Sequence, residues 1–237
     1  MLTFGKLKAA KTDLGALLFL EKAINMNARK VVFVIDGWFM RKRIMSLKAF
    51  EYNGPNIRKY CMSHLKSNDY LYRIFYYDTP PLDARGHNPV SKKHIAFNKE
   101  PVYKAQSKLL ESIKTTPHFA LRLGETVWRN NGWMLTPDKL KQLLNKKITV
   151  DDLEDSDVKP IIEQKLVDMK IGLDIANMAT KGVADVLIII TGDSDITPAL
   201  KFARREGMQV GIDPLRNPIR PSLAEHVDFI STKIKKP

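Results

Sequence analysis

The chain has 237 residues, 44% of them apolar and 27% charged. That is enough apolar material for one generous core, and it excludes a wholly disordered chain. Lys and Arg number 39 against 26 Asp and Glu, a formal charge of +13, so the expected partner is a polyanion, either nucleic acid or an anionic membrane surface. One cysteine, Cys61, excludes an intramolecular disulfide and a Cys-rich zinc site and points to a reducing, cytoplasmic setting.

Residues 1–29 read as an N-terminal extension, with a surface helix over 12–25. The apolar run Leu14 to Leu20 follows Lys6, Lys8 and Lys11, but Glu21 and Lys22 close it and no small-residue cleavage site follows, so it does not read as a secretory signal. Met26 stands shortly before the first strand and is an alternative start for the chain. No apolar run approaches the roughly 18 residues of a membrane span, so no spanning segment is expected; of the two polyanions, nucleic acid and no membrane is the partner taken forward. The domain proper is expected over 30–237. Its first strand, Val31 to Ile35, is a continuous β-branched run of the kind covered on both faces, and it ends at Asp36-Gly37. Basic helices follow over 40–50 and 55–66, then an aromatic-rich strand over 70–77 that ends at Asp78.

Residues 79–90 read as a loop from their Pro and Gly content, 91–113 as a lysine-rich helix, and 118–123 as a third strand. Residues 125–157 read as an insertion carrying Trp128, Trp133 and a small helix near 139–144. The insertion closes on the acidic run Asp151 to Asp157. That run lacks the glycine and distal glutamate of a calcium loop and reads as a solvated linker. A helix is expected over 161–180, closed near Gly182. A second deeply buried strand over 185–191 follows, then a helix over 195–206, a strand over 208–212 and a short closing segment near 222–234. Strands alternating with helices predict a three-layer α/β/α domain with a mainly parallel central sheet.

In open α/β sheets, ligands sit beyond the carboxyl ends of the strands. The two buried strands both run out into acids: the first into Asp36, the second through Thr191-Gly192 into Asp193-Ser194-Asp195. If the strands are parallel, these carboxylates share one edge. A single Asp ending a strand is more often a turn or cap residue, and Asp195 alone reads as the N-cap of the next helix. The coincidence of two buried strands and a twin acid favours a divalent cation, and an all-oxygen ligand set suits Mg²⁺ or Mn²⁺. The helix before the second strand is expected to add Asp168. Asp174 lies about 9 Å farther along it, is expected to pair with Lys170, and is held in reserve.

Three blocks carry a resemblance: VVFVIDG (31–37), QKLVDMKIGLDIANMA (164–179) and DVLIIITGDSDITPALKFARREGMQVGI (185–212), with SLAEHVDFI (222–230) as a closing segment. Together they resemble the NYN domain, a PIN-like nuclease fold, and its bacterial LabA-like branch. Phe39 stands where that family has Asn, and Leu166 where it has Gly. The resemblance implies a three-layer PIN-like (Rossmann-like) fold and a metal-dependent ribonuclease that cleaves RNA phosphodiester bonds, endonucleolytically. It implies Asp36 and Asp193 as direct ligands, with Asp168 and Asp195 completing the catalytic site. Thr191 or Ser194 would position a phosphate or the nucleophilic water. Arg41, Lys42, Arg43, Lys165, Lys201, Arg204 and Arg205 would hold the RNA backbone. Trp128, Trp133, Tyr76 and Tyr77 are candidates for base stacking, core packing being the commoner role of the tyrosines. A homodimer is a further expectation.

Two readings compete. Asp193 to Thr197 also spells DxDxT, the nucleophile motif of haloacid-dehalogenase-like phosphatases, but too little chain follows for their later motifs and Asp36 is left unexplained. A non-catalytic RNA-binding or adaptor module of the same fold is the second. His87, in the Pro-rich loop, is a weak candidate for approaching substrate.

Overall fold

A computed structural model of the chain describes residues 28–234; the expected helix over 12–25 lies outside them. Strand β1 (Arg29–Asp36) is buried along Val31 to Ile35. Asp36 caps helix α1 (Gly37–Leu47) by accepting the Phe39 amide at 3.0 Å. Helix α2 (Gly54–Met62) has Asn53 as its cap and Pro55 in its first turn, the arrangement that satisfies a helix start. Strand β2 (Asp69–Asp78) follows.

The next stretch departs from the sequence reading. Residues 91–113 do not form one helix: strands β3 (Arg85–His87) and β4 (His94–Ala96) make a hairpin, a short 3₁₀ turn follows, and helix α3 (Pro101–Thr115) begins only at its proline. Pro101 fixes the start because its ring is accepted in the first turn and nowhere deeper. Strand β5 (Phe119–Leu123) returns to the main sheet.

A second departure lies beyond it. Strand β6 (Glu125–Leu135), helix α4 (Pro137–Leu144) and strand β7 (Val158–Lys165) form an arm in which β6 and β7 pair antiparallel, with Trp133 opposite Pro160 and Thr126 opposite Gln164. Residues 161–165 are therefore strand rather than helix, and helix α5 (Val167–Thr180) starts six residues later than expected. Trp128 packs edge-on against Trp133 (5.9 Å between centroids) and Phe97 (5.1 Å), so these rings form the arm's own small core. The acidic run is not a plain linker either. It folds into two 3₁₀ turns capped by its own carboxylates, and Asp157 also meets Lys139 at 3.2 Å.

Strand β8 (Val186–Ile190), helix α6 (Thr197–Arg205), strand β9 (Gln209–Asp213), helix α7 (Pro221–Ala224) and strand β10 (Phe229–Ile230) complete the chain. The main sheet has the order β10-β9-β8-β1-β2-β5, and every pairing in it is parallel. Successive strand residues face opposite sides. Val31, Phe33 and Ile35 pack with Met40, Ile57 and Ile113 of α1, α2 and α3 on one face. Val32 and Val34 pack with Ile171, Ile175 and Leu200 of α5 and α6 on the other. This is the expected three-layer α/β/α, PIN-like arrangement.

Leu166, the N-cap of α5, sits at φ +69° and makes no side-chain cap bond. An L residue there costs about 1–2 kcal/mol, whereas glycine adopts the conformation freely. This explains the glycine of the resembled motif at that position. Leu166→Gly is expected to stabilise the fold by about 0.5–1 kcal/mol, the strain relief exceeding the added chain entropy of glycine; urea denaturation of the two proteins side by side measures it.

Candidate functional site

Because the six strands run parallel, their carboxyl ends gather along one edge. Ile35 pairs with Ile190, and Asp36 with Tyr77, so the chain just past β8 lies beside the end of β1. A cavity of about 600 Å³ opens there, lined by Asp36, Asp168 and Asp193 together with Trp38, Phe39, Lys42 and Gln164. Three acids from three distant segments thus face one space. Asp195 adjoins them: its amide donates to Asp193 Oδ1 at 3.0 Å, while the Asp193 amide donates to Thr191 Oγ1 at 3.1 Å. These turn bonds fix the twin acids to the end of β8.

Burial, opposed by the Phe39 amide and reinforced by the charges of Asp168, Asp78 and Asp193, raises the Asp36 carboxyl from 3.8 to about 6. Asp168 is also raised, by burial first and then by Asp193 and Asp195. Among the described residues none of these four carboxylates is in an ion pair with Lys, Arg or His. Other acids at the same edge are satisfied within the protein. Asp78 accepts the Thr79 amide at 2.8 Å and faces Arg41 at 3.5 Å. Asp213 takes the Tyr60 hydroxyl, Thr232 Oγ1 and the Leu215 amide. Among the described residues no three His, Cys, Asp or Glu groups are set closely enough to share an ion, so the carboxylates line the cavity without closing on one point. Their chemistry still fits a hard divalent cation: all are oxygen donors and anionic, and none is in an ion pair among the described residues, although Lys42 and Arg43 line the same cavity.

The remaining candidates scatter. Lys42 and Arg43 line the cavity; Lys42 Nζ lies 4.8 Å above the Trp38 ring, and Arg43 donates to Leu215 O at 3.0 Å. Arg41 turns to Asp78. Lys165 lies 3.8 Å from Glu163. Lys201, Arg204 and Arg205 line a separate groove with Gln209 and Asp228, and Arg204 pairs with Asp228 at 2.9 Å. That groove sits where α6 ends and β9 begins, the opposite edge of the sheet from Asp193. Ser194 Oγ accepts from Arg220 at 3.1 Å. Asp174 binds the Tyr77 hydroxyl at 2.7 Å and Arg122 at 3.1 Å rather than Lys170, whose ammonium donates to Leu123 O. Tyr76 and Tyr77 are core residues. His87 meets His94 across the hairpin and does not line the cavity. Trp38, Gln164, Asn217 and Arg220 were not singled out from sequence; Trp38, next to Asp36-Gly37 and 48% exposed, carried the one available signal.

The Phe39 ring lies over Gly192. A Cβ on that glycine would stand 2.5 Å from Phe39 Cε2. The aromatic ring therefore fills the place between the ends of β1 and β8 and requires a residue without a side chain opposite.

Residues 127–218 match the NYN domain, a span that holds Asp168, Asp193 and Asp195 but not Asp36. Among solved structures, a protein of unknown function from Vibrio parahaemolyticus is similar over 86% of this chain and 92% of its own, at 12% identity and a TM-score of 0.48. No curated protein matches the chain.

Two outcomes follow from the site. The folded protein holds a proton on Asp36 that the unfolded chain releases, so ionising Asp36 costs stability as pH rises from 3.8 to about 6. The cost is absent below that window and complete above it. Asp36→Asn keeps an oxygen for the Phe39 amide. In chelator it is expected to exceed the parent by about 1–3 kcal/mol at pH 7.5 and to equal it at pH 3.5, read by chemical denaturation. Gly192→Ala is expected to cost about 1–3 kcal/mol through the Phe39 ring, and less in a Phe39→Ala background, a coupling that a double-mutant cycle reads directly.

Proposed function

Given the NYN-domain match and the acidic cavity, we propose that this chain is a divalent-metal-dependent ribonuclease that hydrolyses RNA phosphodiester bonds, endonucleolytically and in the cytoplasm. The observation that carries the reading is the convergence of Asp36, Asp168 and Asp193 on one cavity without cationic partners, in a chain of net charge +13. Asp36 and Asp193 would hold Mg²⁺ or Mn²⁺, with Asp168 and Asp195 completing the set. When bound, such an ion lowers the pKa of water and neutralises charge on a phosphorane-like transition state.

The chain's own groups do the rest. Lys42 and Arg43 at the cavity wall bring positive charge to the phosphates on either side of the scissile bond. Trp38 offers an exposed ring on which an unpaired base stacks, and Lys42 above it restrains the ring. The Asp193-Ser194-Asp195 turn, fixed by Thr191 Oγ1 and by Arg220 on Ser194, keeps two carboxylates from straying as substrate arrives. Protonation of Asp36 would compete with the cation for its carboxylate, which burial raises to about 6 when no cation is bound, so cation affinity and with it activity should fall as pH drops.

A non-catalytic RNA-binding role is the second reading. The specific observation in its favour is the Phe39 ring at the position of the family's Asn, packed across the cavity onto Gly192.

The two separate cleanly. With Mn²⁺, the purified protein is expected to cut a labelled single-stranded RNA internally. Asp193→Asn should slow cutting at least ~100-fold while RNA affinity in chelator changes only a few-fold. Equal affinity with no cutting by either protein would establish the binding module. Mn²⁺ should also raise the melting temperature of the parent and leave that of Asp193→Asn nearly unchanged.

A further inference from the structure

A second cavity, of about 280 Å³, lies beside the acidic one, and Gln164 lines both. Its walls come from the Thr79–Leu82 segment after β2, the start of α3 and the arm strands β6 and β7. The walls are largely apolar: Pro80, Pro81, Phe97, Tyr103 and Ile162 all contribute. Phe97 is braced from behind by Trp128, and the Thr126 hydroxyl ties β6 to Pro80 O, so the pocket is built on fixed elements. Ile162 is an exposed apolar side chain on this wall.

The polar groups in the pocket are biased toward acceptance. Gln106 donates its amide nitrogen to Thr79 O at 2.7 Å, which sets the amide's orientation and leaves Oε1 as an acceptor. Glu100 adds a carboxylate, and no ion pair occupies it among the described residues. Flat apolar walls with a few acceptors suit a heteroaromatic ring bearing an exocyclic amine. A pocket that opened onto solvent alone would not name its occupant. This one shares a wall with the space where a phosphate would lie, and the chain is strongly basic.

We infer that the cleft between Tyr103 and Ile162 receives an unpaired adenine or cytosine of the RNA strand whose phosphate enters the acidic cavity. The inference rests on the nuclease reading for the position of that phosphate. The acceptors at Gln106 and Glu100 favour bases with an exocyclic amino group over uracil. Tyr103 and Phe97 supply the stacking surface, and Gln164 separates base from phosphate.

The test uses fluorescein-labelled ten-nucleotide oligoadenylate, oligocytidylate and oligouridylate with the full chain. Binding is read by anisotropy in chelator, and cleavage separately with Mn²⁺. Oligoadenylate and oligocytidylate are expected to bind three- to tenfold more tightly than oligouridylate. Tyr103→Ala should weaken both about tenfold, and Gln106→Leu should level the three. Gln106 also bonds Thr79 O, so Tyr103→Ala, a half-buried wall residue, gives an independent reading should Gln106→Leu unfold. Base-selective binding lost in Tyr103→Ala, with no cutting of any RNA, supports the cleft and removes the nuclease. Cutting with equal affinities for the three homopolymers, unchanged in Tyr103→Ala, overturns the cleft and leaves the nuclease standing. If sedimentation shows a dimer that Ile162→Glu dissociates while RNA binding persists, the cleft joins two copies of the chain and the inference fails.

Discussion

Like charges brought together at the end of a parallel sheet repel one another, and this protein leaves that repulsion uncompensated at one place. Four strand ends along the edge carry or approach acids. Two of them are neutralised locally: Asp78 by Arg41 and the Thr79 amide, Asp213 by Tyr60, Thr232 and the Leu215 amide. These have partners that make them part of the framework. Asp36, Asp168, Asp193 and Asp195 form no ion pair among the described residues, not even with Lys42 and Arg43 of the cavity wall. Burial is the first cause that raises the carboxyls of Asp36 and Asp168, and their acidic neighbours add to it. A fold tolerates such a concentration when something external to the chain relieves it.

The framework that enforces the convergence is stiff. β1 is buried on both faces and paired on both edges, so Asp36 cannot retreat without breaking the centre of the sheet. Asp193 is held through its turn to β8, the strand next door. Asp168 comes from a different direction, on the first turn of α5, and its placement depends on a reversal at Leu166 in a left-handed conformation. That reversal joins the arm to the layer of helices. The arm strand β7 supplies Gln164, the helix supplies Asp168 four residues later, and the two lie on the wall of the same cavity.

What the sequence made legible follows from which signals are local. β1 and β8 are continuous β-branched runs, and a run of that kind has few other outcomes in a soluble core, so their acids could be placed before any coordinates. The hairpin of β3 and β4 has three-residue strands of mostly polar character, and β7 has two adjacent isoleucines that suit a helix as well as a ribbon. Only pairing with distant segments decides such stretches. The basic residues show the same limit more sharply. Charge gives the net attraction for a polyanion but no address: Arg204 turned to Asp228 at the far edge, Arg41 to Asp78, and Lys42 stayed at the cavity. Trp128 and Trp133, with aromatic character but no positional signal, closed on each other.

The charges act over different ranges, which reconciles a basic protein with an acidic centre. At physiological salt the field of exposed charges decays over about 8 Å, so an RNA strand of the proposed kind would respond first to the basic residues nearest its path, Lys42 and Arg43 at the cavity wall among them. Within the cavity the order reverses. A phosphate beside Asp36 and Asp193 would face repulsion, least screened at Asp36, the more buried of the two. On the proposed function, a divalent cation held by these carboxylates would offset that repulsion. A largely apolar cleft adjoining the acids would be useful for the same reason: it would retain a nucleotide by surface burial and hydrogen bonding, although Glu100 gives it a carboxylate of its own.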